Sequence, residues 1–267
     1  MLPGIYGDGS ELTEFQSRLS NEIPIDVIEL QSLEEPLAEL LNVKAIGLAV
    51  AHDIQLRHPC GPLRLAGYSF GGSVAFEAAR HLISCGRDVQ FLGMIDVGLR
   101  LESDHDQPGK GFKRHFIQLI SKIYANGHGG LRSLTYRSLR ELLGRSCSTD
   151  RRLQYTLLML RRFWPAREKF VRQMLLFHLR RQAMDRWQPA AIEGRVFLAI
   201  SQQNAPSVPR WLMLCPHAHL VQLPGTHVQI LQPPSLEILL SEFETAARSE
   251  RSLAIADRPT HGADADF

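Results

Sequence analysis

A glycine-rich turn between two apolar segments is the feature that most constrains how this chain can fold. Leu63–Gly67 is short and apolar, as a strand is, and Gly72–Cys85 is alanine-rich with helical spacing and precedes a capping glycine. Between them lies Gly67–Gly72, whose letters GYSFGG contain the pattern G-x-S-x-G. Glycines are needed there because a side chain would crowd the neighbouring strand and helix. The segment predicts a strained strand-to-helix turn that raises Ser69 as a candidate nucleophile.

Strand and helix patterns alternate over most of the chain. Runs that alternate between apolar and polar residues predict strands, and apolar residues three or four apart predict helices. Besides the unit above, the predicted elements are strands at Ile23–Leu30, Val89–Val97, Arg195–Ser201 and His219–Leu223, and helices at Leu37–His58 and Ser235–Ala247. This succession predicts an α/β fold with a mostly parallel sheet flanked by helices on both faces.

The interval from Leu99 to Pro189 interrupts this alternation. It contains no convincing strand but several leucine- and arginine-rich helical patterns, which predict a helical lid inserted into the sheet. We therefore divide the chain into an α/β core at 1–98 and 190–247, a helical lid insertion at 99–189, and a polar, flexible tail at 248–267.

Charge is distributed unevenly between these parts. The 267 residues carry a formal net charge of +2, which argues against a nucleic-acid partner. Arg100–Arg186 holds 19 lysines and arginines against seven acidic residues, a net charge of +12, and the remainder carries −10. The basic segment would attract an acidic partner protein by electrostatic steering, or it would only keep the helix faces solvated, and the two interpretations are equally well supported.

The cysteines and the apolar runs give no sign of secretion or of a membrane. The cysteines are widely spaced and form no CxxC pair: Cys60, Cys85, Cys147 and Cys215. This usage predicts reduced thiols in a cytoplasmic protein. The first residues lack a signal-peptide pattern and no apolar run reaches about 18 residues, so we expect no membrane partner. His217 and His219 could be imagined as metal ligands with His227, but without a recognisable spacing we expect no metal site.

A serine hydroxyl needs a base and a carboxylate before it becomes an effective nucleophile. His227 follows the last predicted strand, and Asp96 ends a strongly apolar strand earlier in the chain. A carboxylate at the end of such a run is costly to bury without a partner, which favours Asp96 over Asp185 and Glu193. The order Ser69, aspartate, histidine is that of α/β-hydrolases.

Two backbone N–H groups are needed to hold the oxyanion of an acyl-transfer intermediate. Phe70 follows the candidate nucleophile at the start of the predicted helix, where the N–H group is free and the potential is positive. The glycine-rich segment Leu2–Ser10 supplies the second donor, which we assign to Ile5, with Tyr6 as the less favoured choice.

These residues together resemble the thioesterase domains of nonribosomal peptide and polyketide synthases, within the α/β-hydrolase superfamily. The similarity covers about 3–244, and its most specific part is Gly61–Ala79, GPLRLAGYSFGGSVAFEAA. Met94–Asp96 resembles the family's aspartate strand, Pro224–His227 its histidine loop and Pro3–Gly9 its first oxyanion loop. The resemblance implies an α/β-hydrolase fold with a helical lid between the aspartate and the next strand.

The resemblance also implies a reaction. An acyl or peptidyl chain, delivered on the phosphopantetheine of a carrier protein, would be released through an acyl-Ser69 intermediate by hydrolysis or macrocyclisation, with no cofactor of the chain's own. We expect Tyr6 and Tyr68 to contact the substrate. Thr226 stands where the family usually has aspartate. The family also has an apolar strand ahead of the oxyanion loop, whereas this sequence starts at Met1-Leu2, so we expect the sheet to lack that strand.

Other interpretations of the sequence are kept beside this one. An ester or amide hydrolase acting on a free small molecule would use the same fold and triad. An inactive, truncated remnant that only binds a carrier protein is a second alternative. Within the thioesterases, Phe70–Gly72 after the serine favours a terminal product-releasing domain over a stand-alone editing enzyme.

Overall fold

A parallel sheet of four strands forms the centre of the computed structural model, which describes residues 1–30, 42–99, 165–193, 195–248 and 254–255. The strands of the chain are β1 (Leu63–Tyr68), β2 (Val89–Ile95), β3 (Ile192–Glu193), β4 (Phe197–Ser201), β5 (His219–Leu223) and β6 (Ala254–Ile255). The sheet has the order β1-β2-β4-β5, all parallel, and β3 pairs antiparallel with β6. Tyr68 pairs with Ile95 and Ile95 with Ala199, so the carboxyl ends of β1 and β2 lie at one edge.

Helices cover both faces of the sheet, as the sequence predicts. They are α1 (Thr13–Arg18), α2 (Val43–Arg57), α3 (Phe70–Ser84), α4 (Pro165–Arg186), α5 (Val208–Leu214) and α6 (Ser235–Ala247), with 3-10 turns at Ser10–Leu12, Gln202–Ser207 and Gln229–Leu231. On one face, Phe76 of α3 packs between Trp187 and Trp211, at ring-centre distances of 5.9 and 5.6 Å. On the other, Phe243 of α6 packs edge-on against Phe91 at 5.2 Å. Each face therefore buries its own aromatic cluster.

The strand predicted at Ile23–Leu30 is wrong, although its side chains do differ in burial along the segment. Among the described residues its backbone forms isolated hydrogen bonds and no ladder: Ile28 N donates to Met1 O at 3.0 Å, Leu30 N donates to Gly7 O at 3.1 Å, and Met1 N donates to Asp26 O at 2.5 Å. A strand needs a neighbour along its length to complete a ladder. Instead, a groove of about 380 Å³ is lined by residues 22–26 on this segment and by residues 62–66 of the β1 region.

Leu2 holds the position beside β1 where we expected a strand to be missing. It forms an isolated parallel bridge with Gly67, in which Leu2 N donates to Ala66 O at 2.8 Å and Tyr68 N donates to Leu2 O at 3.1 Å. In the described part of the chain, the loop at residues 2–10, named the first loop below, is thus attached to the sheet through a single residue. That attachment brings the loop next to the carboxyl end of β1.

Helix α4 lies within the predicted insertion, but its second half belongs to the core. Leu176, Leu179 and Ala183 are buried, and the chain from Met174 onward groups with Met1–Leu99 in one compact unit. Most of the predicted lid, at 100–164, lies outside the described residues, so its architecture stays a prediction. In the predicted tail, Ala254–Ile255 pairs with β3.

Candidate active site

Ser69 occupies the strained turn that the glycine pattern predicts. It follows β1 directly and precedes α3, with φ 53° and ψ −121°, a conformation that a residue with a side chain rarely adopts. Its N–H donates to Ile95 O at 2.8 Å, which fixes the turn to β2. A Cβ on Gly67 would overlap the Gly71 backbone, and one on Gly71 would overlap the carbonyls of Leu2 and Pro3. The turn is therefore pressed against the first loop, and Ser69 stays partly exposed.

Asp96 follows β2 at the same edge of the sheet and is 1% exposed. Its Oδ2 lies 2.6 Å from His227 Nδ1, and its Oδ1 accepts a hydrogen bond from Ser201 N at 2.8 Å. Its own N–H donates to Ala199 O at 2.7 Å, which holds its backbone at φ 52°. A carboxylate with both oxygens bonded is held in one orientation. Asp96 can therefore orient the imidazole and stabilise an imidazolium.

His227 lies in the loop after β5 and is partly exposed. Because Asp96 engages Nδ1, that nitrogen carries the proton, and Nε2 is the atom that can accept one. The imidazole stacks on the Tyr68 ring with 4.9 Å between ring centres and 15° between planes. Gln203 Oε1 accepts a hydrogen bond from His227 N at 3.1 Å. These contacts bring the histidine loop against the end of the strand that carries Ser69.

Tyr68 is buried, and it connects the histidine loop to the first loop. Its hydroxyl donates to His227 O at 2.9 Å, and a Cβ on Gly4 would lie 3.2 Å from its ring. Burial raises the pKa of Tyr68 above its ordinary value, with the Asp96 charge as the next cause, so the hydroxyl stays protonated and donates. These contacts give Tyr68 a positioning role, and its contact with substrate stays a prediction.

The first loop carries the predicted oxyanion donors. Gly4 N donates to Glu11 Oε1 at 2.5 Å, and Ile5 O accepts from Arg180 Nη1 at 2.7 Å. Among the described residues the Ile5 N–H has no hydrogen-bond acceptor, and Phe70, as the first residue of α3, has no intrahelical acceptor for its N–H. Both groups are thus available to an oxyanion.

Tyr6, which the sequence predicts to contact substrate, lies next to Ile5 in the first loop. It is 52% exposed and packs its ring against Phe177 of α4, with 5.8 Å between centres, and its contact with substrate stays a prediction. Among the described residues, no three His, Cys, Asp or Glu side chains gather in a way that could hold a metal ion. His219, considered above as a metal ligand, instead lies 3.4 Å from Glu242.

Three contributors to the site, Gln203, Asn204 and Arg180, are absent from the sequence-based prediction. Gln203 and Asn204 follow β4 at its carboxyl end, and Asn204 Nδ2 donates to Asp96 O at 3.4 Å. Their place after a parallel strand is a signal that could have found them, because ligands and catalytic groups gather at that edge. Arg180 offers no such signal, since it is one of many arginines in a leucine- and arginine-rich stretch.

The parallel sheet with helices on both faces is the α/β-hydrolase fold. Ser69, Asp96 and His227 follow its strands in the chain order that serine hydrolases of this fold use. A family model described as "Thioesterase domain" matches residues 1–247, and the chain belongs to that family, whose members hydrolyse thioesters. No helix in the described part of the chain combines the length and apolarity needed to cross a bilayer.

Solved structures with the same fold include thioesterase domains of peptide synthetases. The NocB thioesterase domain, bound covalently to a fluorophosphonate nocardicin G analog, has a TM-score of 0.58 at 16% identity and covers 91% of each chain. The surfactin thioesterase domain SrfTE has a TM-score of 0.56 at 19% identity, over 93% of this chain and 90% of that one. The four-domain nonribosomal peptide synthetase AB3403 reaches 0.65 at 20% identity, over 91% of this chain and 19% of that one.

Among curated proteins, the chain is similar to fungal atromentin synthetases. "Inactive atromentin synthetase invA6" of Paxillus involutus is 31% identical over 153 residues, or 56% of this chain. "Atromentin synthetase" of Tapinella panuoides is 26% identical over 154 residues. The aligned part spans 16% of the length of each of these relatives.

Proposed function

We propose that this chain is a serine thioesterase that releases an acyl or peptidyl chain from the phosphopantetheine arm of a carrier protein. The observation that carries the proposal is the 2.6 Å contact between Asp96 and His227 beside the strained Ser69 turn. A thioester is intrinsically reactive, so the chain's task is to activate the nucleophile and to control the second acceptor.

The proposed reaction has two steps. His227 Nε2 takes the Ser69 proton as Oγ attacks the thioester carbonyl, and the N–H groups of Ile5 and Phe70 hold the resulting oxyanion. The carbon–sulfur bond then breaks, the thiol leaves with the proton from His227, and the acyl group remains on Ser69. Water, or a hydroxyl or amine of the substrate itself, attacks this ester in the second step and gives a free acid or a ring.

The relatives support this proposal without fixing the substrate. The SrfTE domain cyclises the lipopeptide antibiotic surfactin, and the NocB domain forms a covalent complex with a fluorophosphonate. Both agree with an acyl-serine route in secondary metabolism. The cytoplasmic location, the absence of a cofactor and the choice between hydrolysis and cyclisation stay predictions.

A fluorophosphonate probe and an acyl-thioester substrate test the proposal together. We expect covalent labelling of Ser69 and thioester hydrolysis, and we expect Ser69→Ala to lose both. Ser84→Ala, at an exposed position at the end of α3, is the matched control and should retain both. A Ser69→Ala variant that cleaves the thioester at the wild-type rate would contradict the assignment. Absence of labelling in folded wild-type protein would favour the inactive remnant, an alternative in keeping with a relative named as inactive.

A matched pair of substrates separates the thioesterase from a small-molecule esterase. The same acyl group is offered on a carrier protein and as a free oxygen ester, and the thioesterase prefers the carrier-bound form. The excess of basic residues in 100–186 is proposed to steer an acidic carrier. Added salt should then lower kcat/KM for carrier-bound substrate much more than for a small thioester, whereas equal sensitivity would exclude docking through this segment.

A further inference from the structure

Arg180 is a buried charged residue of the described core to which the reaction above assigns no role. It is 1% exposed. Its Nη1 donates to Ile5 O at 2.7 Å, and its guanidinium carbon lies 5.8 Å from the centre of the Phe70 ring. One guanidinium therefore contacts both residues that are proposed to supply the oxyanion hole.

Neighbouring residues on α4 contact the same two segments. Phe177, Arg180 and Met184 lie three and four residues apart and so share one helix face. The Phe177 ring packs against Tyr6, next to Ile5, and Met184 Sδ accepts a hydrogen bond from Ser73 Oγ of α3 at 2.9 Å. This face of α4 therefore bridges the first loop and the first turn of the nucleophile helix, with Arg180 at the centre.

The backbone of Ile5 is held from both sides. The preceding N–H, that of Gly4, donates to Glu11, and the Ile5 carbonyl accepts from Arg180. With both flanking peptide groups fixed, the Ile5 N–H keeps one direction. Burial lowers the pKa of Arg180 to about 10, and the acidic Asp8 and Glu11 oppose this shift, so the guanidinium is charged and a strong donor at neutral pH.

We propose that Arg180 is the positioning residue of the oxyanion hole, and this rests on the function proposed above. It anchors the Ile5 carbonyl and packs over Phe70, so that both N–H donors are preorganised for the charge that develops on the substrate oxygen. It acts through Ile5 and Phe70 and touches no reacting atom. Preorganised donors contribute most when the site need not reorganise during the reaction.

The test compares Arg180→Met with Arg181→Met. Methionine keeps the apolar stem of Arg180 but removes its donors, while Arg181, at the next position, has a side chain that is 63% exposed and forms an ion pair with Asp185 one turn further along α4. We expect Arg180→Met to lower kcat by about 10- to 100-fold with little change in KM, because loss of one oxyanion donor costs about 10²- to 10³-fold. Arg181→Met should remain within twofold of wild type.

A second readout separates positioning from general damage. An alkyl boronic acid forms a tetrahedral adduct with an active serine, so its affinity should fall by the same factor as kcat/KM. The shape of the pH profile of kcat/KM should not change, because the Asp96–His227 contact is untouched. Arg180→Lys should recover part of the loss, since an ammonium can still donate but lacks the planar fork.

If Arg180→Met does not fold, alanine substitutions at two glycines provide the same test. A Cβ on Gly7, at φ 83°, would overlap the Arg180 guanidinium, whereas one on Gly61, at φ 84°, would meet nothing within 4 Å. The two alanine variants share the backbone strain, and we expect only Gly7→Ala to lose boronic acid affinity. If folded Arg180→Met binds the boronic acid with an affinity within twofold of wild type, the proposal is overturned. It is likewise overturned if the affinity of Gly7→Ala lies within twofold of that of Gly61→Ala.

The substrate and the boronic acid also distinguish the two proposals. A wild-type chain that binds the boronic acid but cleaves no thioester would contradict the proposed function, while the comparison of boronic acid affinities would still decide the role of Arg180. A wild-type chain that does not bind the boronic acid has no assembled oxyanion hole to position, and the proposal for Arg180 fails with it.

Discussion

The two halves of the candidate site are held in place by different means. In the acid–base half, Asp96 rests on the sheet: β4 supplies a carbonyl to the Asp96 N–H and an N–H to its carboxylate. His227 in turn contacts Asp96 through Nδ1. In the described part of the chain, the oxyanion half, residues 2–10, meets the sheet through the bridge of Leu2. The side chains of Glu11 and Arg180 hold the backbone around Ile5.

This difference determines what a single substitution can do. A ladder shared among parallel strands survives the loss of one side chain, so changes in the acid–base half should alter chemistry and leave the fold intact. A loop held by individual side chains loses its conformation when one of them is removed. Changes in the oxyanion half should therefore affect stability and rate together.

The largest expected effect is that of Asp96→Asn. The amide can keep its oxygen on Ser201 N and turn its NH2 group toward His227 Nδ1, which places the remaining imidazole proton on Nε2 and removes the base. We expect kcat for a thioester to fall by about 10⁴-fold, with a thermal midpoint close to that of wild type. Asp53→Asn on α2 serves as the control. A kcat within tenfold of wild type would show that another group carries the base.

The contrast between the halves also explains what the sequence could predict. The strand–turn–helix pattern around Ser69 could be predicted because its interacting residues lie close together in the sequence. The strand that precedes Asp96 and the loop after β5 are also local features, and the structure has these elements where the sequence predicts them. The helix at Ser235–Ala247 and the strand at His219–Leu223 have the predicted bounds.

The failures lie where the partner is distant or absent. Ile23–Leu30 has the composition of a strand, but its pairing depends on what lies beside it, and among the described residues it finds isolated hydrogen bonds to Met1 and Gly7 instead of a ladder. Arg180 is 175 residues from Ile5, and no local pattern distinguishes a buried anchoring arginine from a solvated one. The contribution of Gln203 depends on its proximity to a loop 24 residues further along the chain.

The smallest expected effect is that of Tyr68→Phe, at the joint between the halves. The ring keeps its stack on His227, while the hydrogen bond to His227 O is lost, which is worth about 1 kcal/mol. If Tyr68 positions the histidine loop, kcat should fall by about three- to tenfold and KM should stay constant. If its hydroxyl instead contacts the substrate, as the sequence suggests, KM should rise with kcat unchanged. Steady-state kinetics on one thioester distinguishes the two roles.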